Sequence, residues 1–328
     1  MKKKIVITGG SGFIGSHLVK KFLKNDFIVL NLDKLSRESQ NLEIKNKNYF
    51  FKKCNLIDQK KLSKILNDFK PKIIINAAAE SHVDRSIYQP KYFYENNVSS
   101  TLNLLEYIRQ SKNKVEFIHI STDEVFGSLE GIKKKFDINS KYDPRSPYSA
   151  SKASSDHAVR AYGETFGLSY TITNCSNNYG KYQYPEKLIP VIINKCIEKK
   201  PIPIYGNGRN IRDWIHVEDH VNAIFQIQKH GCKNQTYLIG SNNEIKNIDI
   251  AKKICIFFDK NFNSKNYKKL ITFVKDRKGH DFRYAINNKE IYKTIGWKPL
   301  IKFDKGLEDT IQFYIKNYNK LKKIFPYG

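Results

Sequence analysis

Patterned cysteine is missing from this chain. Its five cysteines, Cys54, Cys175, Cys196, Cys232 and Cys255, are scattered over 328 residues. Their number is odd and no CxxC or other metal-ligand spacing occurs, so neither a disulfide framework nor a metal site is predicted. The thiols read as reduced and mostly buried. Long apolar runs are also missing. Ile73-Ile74-Ile75 followed by Asn76-Ala77-Ala78-Ala79 is among the longest, far short of the roughly 20 residues that span a bilayer. Three lysines lead directly into Ile5-Val6-Ile7, without the longer apolar core of a signal peptide. The stretch is predicted to be a first strand, in a cytoplasmic protein with no membrane partner. No low-complexity linker or internal repeat breaks the chain. Acidic residues are few: 32 against 58 basic ones, a net charge of +26. The lysines run along the whole chain and accompany no recognisable binding module. Nucleic acid is therefore not predicted as the main partner, although a positive field attracts an anionic small substrate.

What is present is alternation. Lys4–Ile7 reads as strand one. A helix from about Gly12 carries Ile14, Leu18, Val19, Phe22 and Leu23 on its apolar face. Phe27–Leu32 reads as strand two, ending at Asp33, and Tyr49–Phe51 as strand three. A helix over Gln59–Phe69, stopped by Pro71, leads to strand four at Lys72–Asn76. A long helix over Asn97–Ser111 and strand five at Val115–Ile120 follow. Such alternation predicts an α/β fold with a doubly wound parallel Rossmann sheet. After residue 180, polar loops rich in Tyr, Asn and Gly separate shorter elements. A cofactor-binding domain over 1–180 is predicted, with a smaller α/β substrate lobe over 181–328 whose segments interleave with late strands of the first.

Between the first strand and helix stands Thr8-Gly9-Gly10-Ser11-Gly12-Phe13-Ile14-Gly15. Gly9, Gly12 and Gly15 have GxxGxxG spacing. Glycine permits a tight turn and lets backbone N–H groups approach a pyrophosphate at the positive end of a helix. Asp33, 18 residues after Gly15, ends strand two. A carboxylate there accepts hydrogen bonds from ribose hydroxyls and repels a 2′-phosphate, which favours NAD over NADP. Ala77, Ala78 and Ala79 after strand four suit a close approach of backbone to cofactor.

Two further segments carry chemistry. Tyr148-Ser149-Ala150-Ser151-Lys152 places a phenol and an ammonium one helical turn apart on one face. The ammonium is predicted to lower the phenol's pKa and make Tyr148 a base for a sugar hydroxyl. Upstream, Ser121-Thr122-Asp123-Glu124-Val125-Phe126-Gly127 adds two adjacent carboxyl groups. Oxidising an alcohol needs only the tyrosine, so an extra acid and base suggest a second reaction, the loss of water. Neighbours in a regular strand point to opposite faces, so both carboxyls reach one sugar only if the chain leaves the strand near Thr122.

Seven stretches, TGGSGFIGSH, AAAESHVDRSI, STDEVFG, SPYSASKASSDH, NCSNNYGKYQYPEKLIP, YGNGRNIRDWIHVEDH and DRKGHDFRYAI, span nearly the whole chain. Together they resemble the extended short-chain dehydrogenase/reductases, and specifically the nucleoside-diphosphate-glucose 4,6-dehydratases of the dTDP-glucose type. The resemblance implies a homodimeric lyase of deoxysugar biosynthesis, rhamnose included, that uses catalytic NAD on dTDP-glucose or UDP-glucose. It implies that Tyr148 is the base at the sugar 4-hydroxyl and that Lys152 holds the nicotinamide ribose. Thr122 would bond near the 4-oxygen, Asp123 would protonate the departing 6-hydroxyl, and Glu124 would take the C5 proton. NAD contacts would fall on Phe13, Ile14, Asp33, Lys34, Leu35, Ser36, Asn55, Leu56, Ala77, Ala78, Ala79, Glu80, Ser81, Asn96 and Asn177. Substrate contacts would fall on Ser81, Thr122, Asn178, Lys187, Leu188, Pro203, Ile204, Tyr205, Arg212, Asn247, Asp276, Arg277, Lys278, Gly279 and His280. The dimer would form through the helices near 97–111 and 149–166.

Four positions depart from the pattern. Asn55 stands for an Asp, Phe126 for a Tyr whose hydroxyl would lie near the site, and Lys181 and Lys278 for prolines. A nucleotide-sugar 4-epimerase or decarboxylase would need Tyr148 and Lys152 but not the Asp123–Glu124 pair. A non-catalytic NAD-binding regulator would need none of the four.

Overall fold

The computed structural model describes residues 2–40, 43–131, 133–262 and 266–325. In chain order the first half holds β1 (Lys4–Thr8), α1 (Phe13–Lys24), β2 (Ile28–Asp33), β3 (Tyr49–Lys53), α2 (Gln59–Phe69), β4 (Ile73–Asn76), α3 (Val83–Tyr88), α4 (Pro90–Tyr94), α5 (Ser100–Gln110), β5 (Glu116–Thr122) and α6 (Pro147–Phe166). The second half holds β6 (Tyr170–Cys175), β7 (Asn177–Tyr179), α7 (Leu188–Glu198), β8 (Ile202–Tyr205), β9 (Ile211–His216), α8 (Val217–His230), β10 (Gln235–Ile239), β11 (Glu244–Lys246), α9 (Asn247–Asn261), β12 (Ile271–Val274), α10 (Lys289–Ile295) and α11 (Phe303–Ile324).

Seven of these strands form one parallel sheet in the order β10-β6-β5-β4-β1-β2-β3. Ile5, Val6 and Ile7 are all fully buried, as befits a central strand covered on both faces. Ile5 and Ile7 point to one layer, where Leu18, Val19 and Phe22 of α1 meet Val221, Ile224 and Phe225 of α8. Val6 points to the other, with Leu62 and Leu66 of α2, Leu104 and Leu105 of α5 and Val159 of α6. Strand order turns back at β1, which pairs with β2 on one side and β4 on the other. A crevice opens there at the carboxyl ends of the strands.

The remaining strands build a second layer system. β11, β9 and β7 form a three-stranded sheet, and β8 pairs in parallel with β12. Ile189, Ile193, Ile202, Ile254, Phe258, Ile311 and Tyr314 form its core. β10 returns to the main sheet beside β6.

The helix predicted over 97–111 differs in its first turn. Glu95–Ser99 is a π-helical turn that runs into α5. Asn97 explains it: its side chain grips the backbone of Glu80 on both sides, at 2.8 and 3.0 Å, and Ser151 Oγ at 2.9 Å. Satisfying those contacts widens one turn, a distortion often found at functional sites. α6 starts cleanly, with Ser146 and Ser149 in a reciprocal capping box and Pro147 in the first turn.

Candidate active site

The glycine turn is dictated by close approach. Gly9 has φ +64°, and a Cβ there would fall 2.7 Å from Ala78 Cα. One on Gly15 would fall 2.0 Å from the Gly9 carbonyl oxygen. Gly12 caps α1 without any side-chain partner for the helix's first N–H groups, which leaves them available to an anion. Two hollows meet at this turn, sharing Gly9, Gly12, Glu38, Ala77 and Ala79. One is lined by Asp33, Lys34, Ser36, Asn55, Leu56, Ala78, Glu80 and Asn96. The other is lined by Phe13, Ile14, Gly15, Ser81, Thr122, Asp123, Glu124, Tyr148, Lys152, Asn177, Asn178 and Lys187. An extended molecule with a central pyrophosphate fits this cradle, one end at Asp33 and the other at Tyr148. Asp33 receives Ser11 N at 3.0 Å, Leu35 N at 2.7 Å and Ser39 Oγ at 3.0 Å. Leu35 itself turns outward, 38% exposed, and lines neither hollow.

β5 ends at Thr122, and Asp123–Phe126 form a 3₁₀ turn closed by Gly127 at φ +78°. Leaving the strand there puts Asp123 and Glu124 on one cleft. Thr122 Oγ1 accepts from Glu124 N at 3.3 Å and lies 3.4 Å from Asp123 Oδ1. Asp123 is 1% exposed, and its Oδ2 has no hydrogen-bond partner among the described residues. Burial first, then the Glu124 charge, pushes the Asp123 carboxyl well above the usual range. Burial also raises Glu124, but Arg277, Arg212 and Lys187 pull it back. The two acids are thus biased apart, Asp123 toward its protonated form.

The lysine corrects an expectation. Burial, followed by the Glu124 charge, pushes the Tyr148 phenol well up, and the lowering comes from the Thr122 hydroxyl as hydrogen-bond partner. Lys152 is not among the chief influences on the phenol. Its Nζ donates to the Ile120 carbonyl at 2.8 Å and sits 3.2 Å from His119 Nε2. Burial lowers this ammonium to about 8.

His119 and Asp156 were not singled out from the sequence. Both are fully buried. His119 Nε2 lies 3.4 Å from Asp156 Oδ1, whose other oxygen accepts from Ser121 Oγ and Tyr142 OH, both at 2.8 Å. The available signals were a histidine inside the apolar run of strand five and an aspartate one turn beyond Lys152. Cys175, also missed, lines the cleft. Burial pushes its thiol up to about 12 and keeps it protonated.

The substrate residues divide. Ser81, Thr122, Asn178 and Lys187 line the cleft, with Lys187 Nζ donating to the Ser81 carbonyl at 3.0 Å. Leu188 opens α7 and packs against the second core. In β8, Pro203 and Tyr205 face out, but Ile204 is 1% exposed in that core, so its side chain is not free to touch a ligand. Tyr205 OH donates to Asp84 at 2.9 Å, Arg277 Nη1 lies 3.5 Å from the same carboxylate, and His280 bonds Asp276 at 2.6 Å. Arg212 is buried with its guanidinium 4.2 Å over the Tyr284 ring, donating to the carbonyls of Ile211, Asp281 and Phe282. Asn247 Oδ1 is buried without a partner among the described residues. Gly279, beside Lys278, has φ +62°, and a Cβ there would meet the Arg145 carbonyl at 2.7 Å. The Phe126 ring packs against Phe136 and Tyr142 and lines neither hollow.

Across the cleft runs an ion-pair strap that sequence reading missed. Arg85 on α3 grips Glu38 from the Asp33 side and Glu186 from the lobe side, the latter at 2.8 Å, and Arg37 adds a 3.3 Å contact to Glu186. Among the described residues, no cluster of three or more His, Cys, Asp or Glu is placed to hold a metal, and no helix is long and apolar enough to cross a membrane.

Residues 6–310 match the model of the family described as GDP-mannose 4,6 dehydratase. A probable dTDP-glucose 4,6-dehydratase of Sinorhizobium fredii is 44% identical over 96% of this chain and 93% of its own length. The dTDP-glucose 4,6-dehydratase of Neisseria meningitidis serogroup B is 44% identical over 96% and 94%. Among solved structures, the dTDP-glucose 4,6-dehydratase of Bacillus anthracis in complex with NAD superposes with TM-score 0.89 at 37% identity, covering 98% of this chain and 99% of that one. The Streptomyces venezuelae enzyme, with NAD and dTDP bound, gives 0.91 at 34% over the same shares. A UDP-glucose 4-epimerase of Thermotoga maritima, 24% identical with TM-score 0.86 over 96% and 99%, shares the fold.

Proposed function

The chain belongs to the GDP-mannose 4,6 dehydratase family, and from that premise we propose that it converts dTDP-glucose to dTDP-4-keto-6-deoxyglucose and water with NAD as a catalytic cofactor. The observation that carries this is the 3₁₀ turn that brings Asp123 and Glu124 into the cleft of Tyr148 and Lys152. An epimerase has no work for those two carboxyls.

The glycine turn, the uncapped start of α1 and the Asp33 hollow would hold the NAD pyrophosphate and adenosine, and Lys152 and Asn177 its nicotinamide ribose. NAD, when bound, supplies the oxidation at C4 and the matching reduction at C6. Tyr148 takes the O4 proton, and a C4 ketone makes the neighbouring C5 hydrogen acidic. Glu124, whose rise through burial is opposed by the Arg277, Arg212 and Lys187 charges, takes that hydrogen as a proton. Asp123, biased toward its acid form, protonates O6 as water departs. Ser81, Asn178 and Lys187 orient the sugar and diphosphate. Arg277 and Tyr205 stand at the nucleotide end.

We assign cofactor binding to residues 1–180 and substrate binding mainly to 181–328. The five free thiols suit a reducing cytoplasm. A homodimer through α5 and α6 is part of the proposal; its support is that these helices lie side by side and leave Phe166 half exposed.

The test incubates the enzyme separately with dTDP-glucose and UDP-glucose. A 4-keto-6-deoxy product from dTDP-glucose, with no net reduced nicotinamide, is the outcome this reading requires. Interconversion to the galactose epimer would replace it with the epimerase reading.

A further inference from the structure

Two neighbouring residues in the Asp33 hollow pull in opposite directions. The Asp33 carboxylate repels a 2′-phosphate on the adenosine ribose, whereas a cation beside the end of β2 attracts one. Lys34 is such a cation. It follows Asp33 directly, and among the described residues lining that hollow it alone is positively charged. The two arginines of the strap, Arg37 and Arg85, are already engaged by Glu38 and Glu186.

A lysine ammonium has three N–H groups to donate. Lys34 Nζ has an acceptor for each: Glu80 Oε1 at 2.7 Å, Asn96 Oδ1 at 2.8 Å and Tyr92 OH at 3.1 Å. None is left for a phosphate. The acceptors are fixed in their turn. Asn96 Nδ2 donates to the Tyr92 carbonyl at 2.8 Å, which leaves Oδ1 to face the lysine. Tyr92 OH donates to Glu80 Oε1 at 3.2 Å. Glu80 is buried, and Asn97 of the π turn holds its backbone on both sides. Of the three acceptors only Glu80 carries a charge, so it has the strongest hold on the ammonium.

We propose that Glu80 is a cofactor-specificity residue: by holding the Lys34 ammonium it denies the 2′-phosphate of NADP the cation of this hollow, and so completes the exclusion that Asp33 begins. The inference rests on NAD occupying the hollow, as proposed above. Glu80 touches no reacting atom and acts through Lys34, as a positioning residue. Its test equilibrates the full-length enzyme with mixtures of NAD and NADP, isolates the protein and counts both dinucleotides on it. Wild type holds NAD in large excess. Glu80→Gln raises the bound NADP-to-NAD ratio by about tenfold, the scale of one charge-assisted hydrogen bond. Removing the lysine separates masking from plain charge. Lys34→Gln alone changes the ratio by less than about twofold, because a masked ammonium contributes nothing to NADP. The same change in Glu80→Gln lowers the ratio by about tenfold, back to that of wild type. Glu80→Ala takes the place of Glu80→Gln if the amide disturbs folding. A ratio unmoved by loss of the carboxylate overturns the inference, as does a Lys34→Gln effect of equal size in both backgrounds. A wild-type enzyme that binds neither dinucleotide overturns the cofactor reading instead.

Discussion

Lys152 Nζ lies 3.2 Å from His119 Nε2, on the side of the ammonium away from the cleft. The other ring nitrogen of His119 faces Asn76 Nδ2 at 3.2 Å, while Asn76 Oδ1 accepts from Thr8 Oγ1 at 2.7 Å. In that arrangement Nδ1 accepts and Nε2 carries the ring proton. The nearest negative charge behind Lys152 is then Asp156, which holds the lysine's pKa up against burial. Lys152 titrates at about 8, so turnover should decline as pH rises through that value and the ammonium is lost. Asp156→Asn keeps an acceptor for Ser121 and Tyr142 but removes the charge. The alkaline fall in kcat should move down by roughly one pH unit. A kcat profile against pH reads this directly, and an unmoved midpoint rules out the coupling.

Asp123 and Glu124 are neighbours with opposed roles, and they should fail differently. Glu124→Gln leaves C4 oxidation possible but blocks removal of the C5 proton. Product formation should fall by about 10²- to 10⁴-fold, while absorbance of the reduced nicotinamide accumulates on the enzyme. Asp123→Asn should slow product release of water by a similar factor, and it should also remove the alkaline limb that ionisation of Asp123 contributes. Full deoxyketosugar formation by Glu124→Gln would refute the assignment.

The sheet was legible because its strands are short apolar runs and its helices carry one apolar face, both local properties. β1 to β5 lie within a residue or two of their predicted places. The cleft was legible where chemistry demands particular residues at particular spacing: three glycines, a carboxylate after β2, a tyrosine and lysine one turn apart. What escaped depends on contacts far apart in sequence. The π turn before α5 arises because Asn97 binds Glu80, and Lys152 turns to Ile120 because the strand beside it offers a carbonyl. Whether Ile204 faced the core or the ligand depended on the register of β8 with β12, which the local pattern does not fix. The Glu38–Arg85–Glu186 strap joins three separate segments, none distinctive alone.

That strap yields a prediction on cofactor retention. Arg85 ties the loop after Asp33 to the loop before α7, over the hollow that would hold the pyrophosphate. A cofactor that ends each cycle as it began gains from slow release. Arg85→Ala should speed NAD dissociation by roughly tenfold, the scale of one charge-assisted hydrogen bond. Rising salt should narrow the gap between wild type and variant, because the strap is partly open to solvent. Dilution of the NAD-loaded enzyme into cofactor-free buffer, with bound NAD counted over time, checks it. Identical release curves rule out a retaining role.

His220 ties acid stability to the site. It is fully buried, with Nδ1 2.9 Å from Asn178 Oδ1. Burial lowers its pKa to about 3. In the folded protein the ring therefore stays neutral down to that pH, while in the unfolded chain it gains a proton below about 6.5. Its contribution to stability is whole above 6.5 and is lost as pH falls from there toward 3, at about 1.4 kcal/mol per pH unit. His220→Gln keeps a donor for Asn178 and is neutral in both states, so it lacks this loss. Buried carboxylates with raised pKa values act in the opposite direction, but they are common to both proteins and cancel in the difference. Between pH 6.5 and 5 the unfolding free energy of wild type should drop by about 2 kcal/mol relative to the variant. Urea titrations at the two pH values measure it, and a gap that does not change with pH would mean that the imidazole is already protonated in the fold.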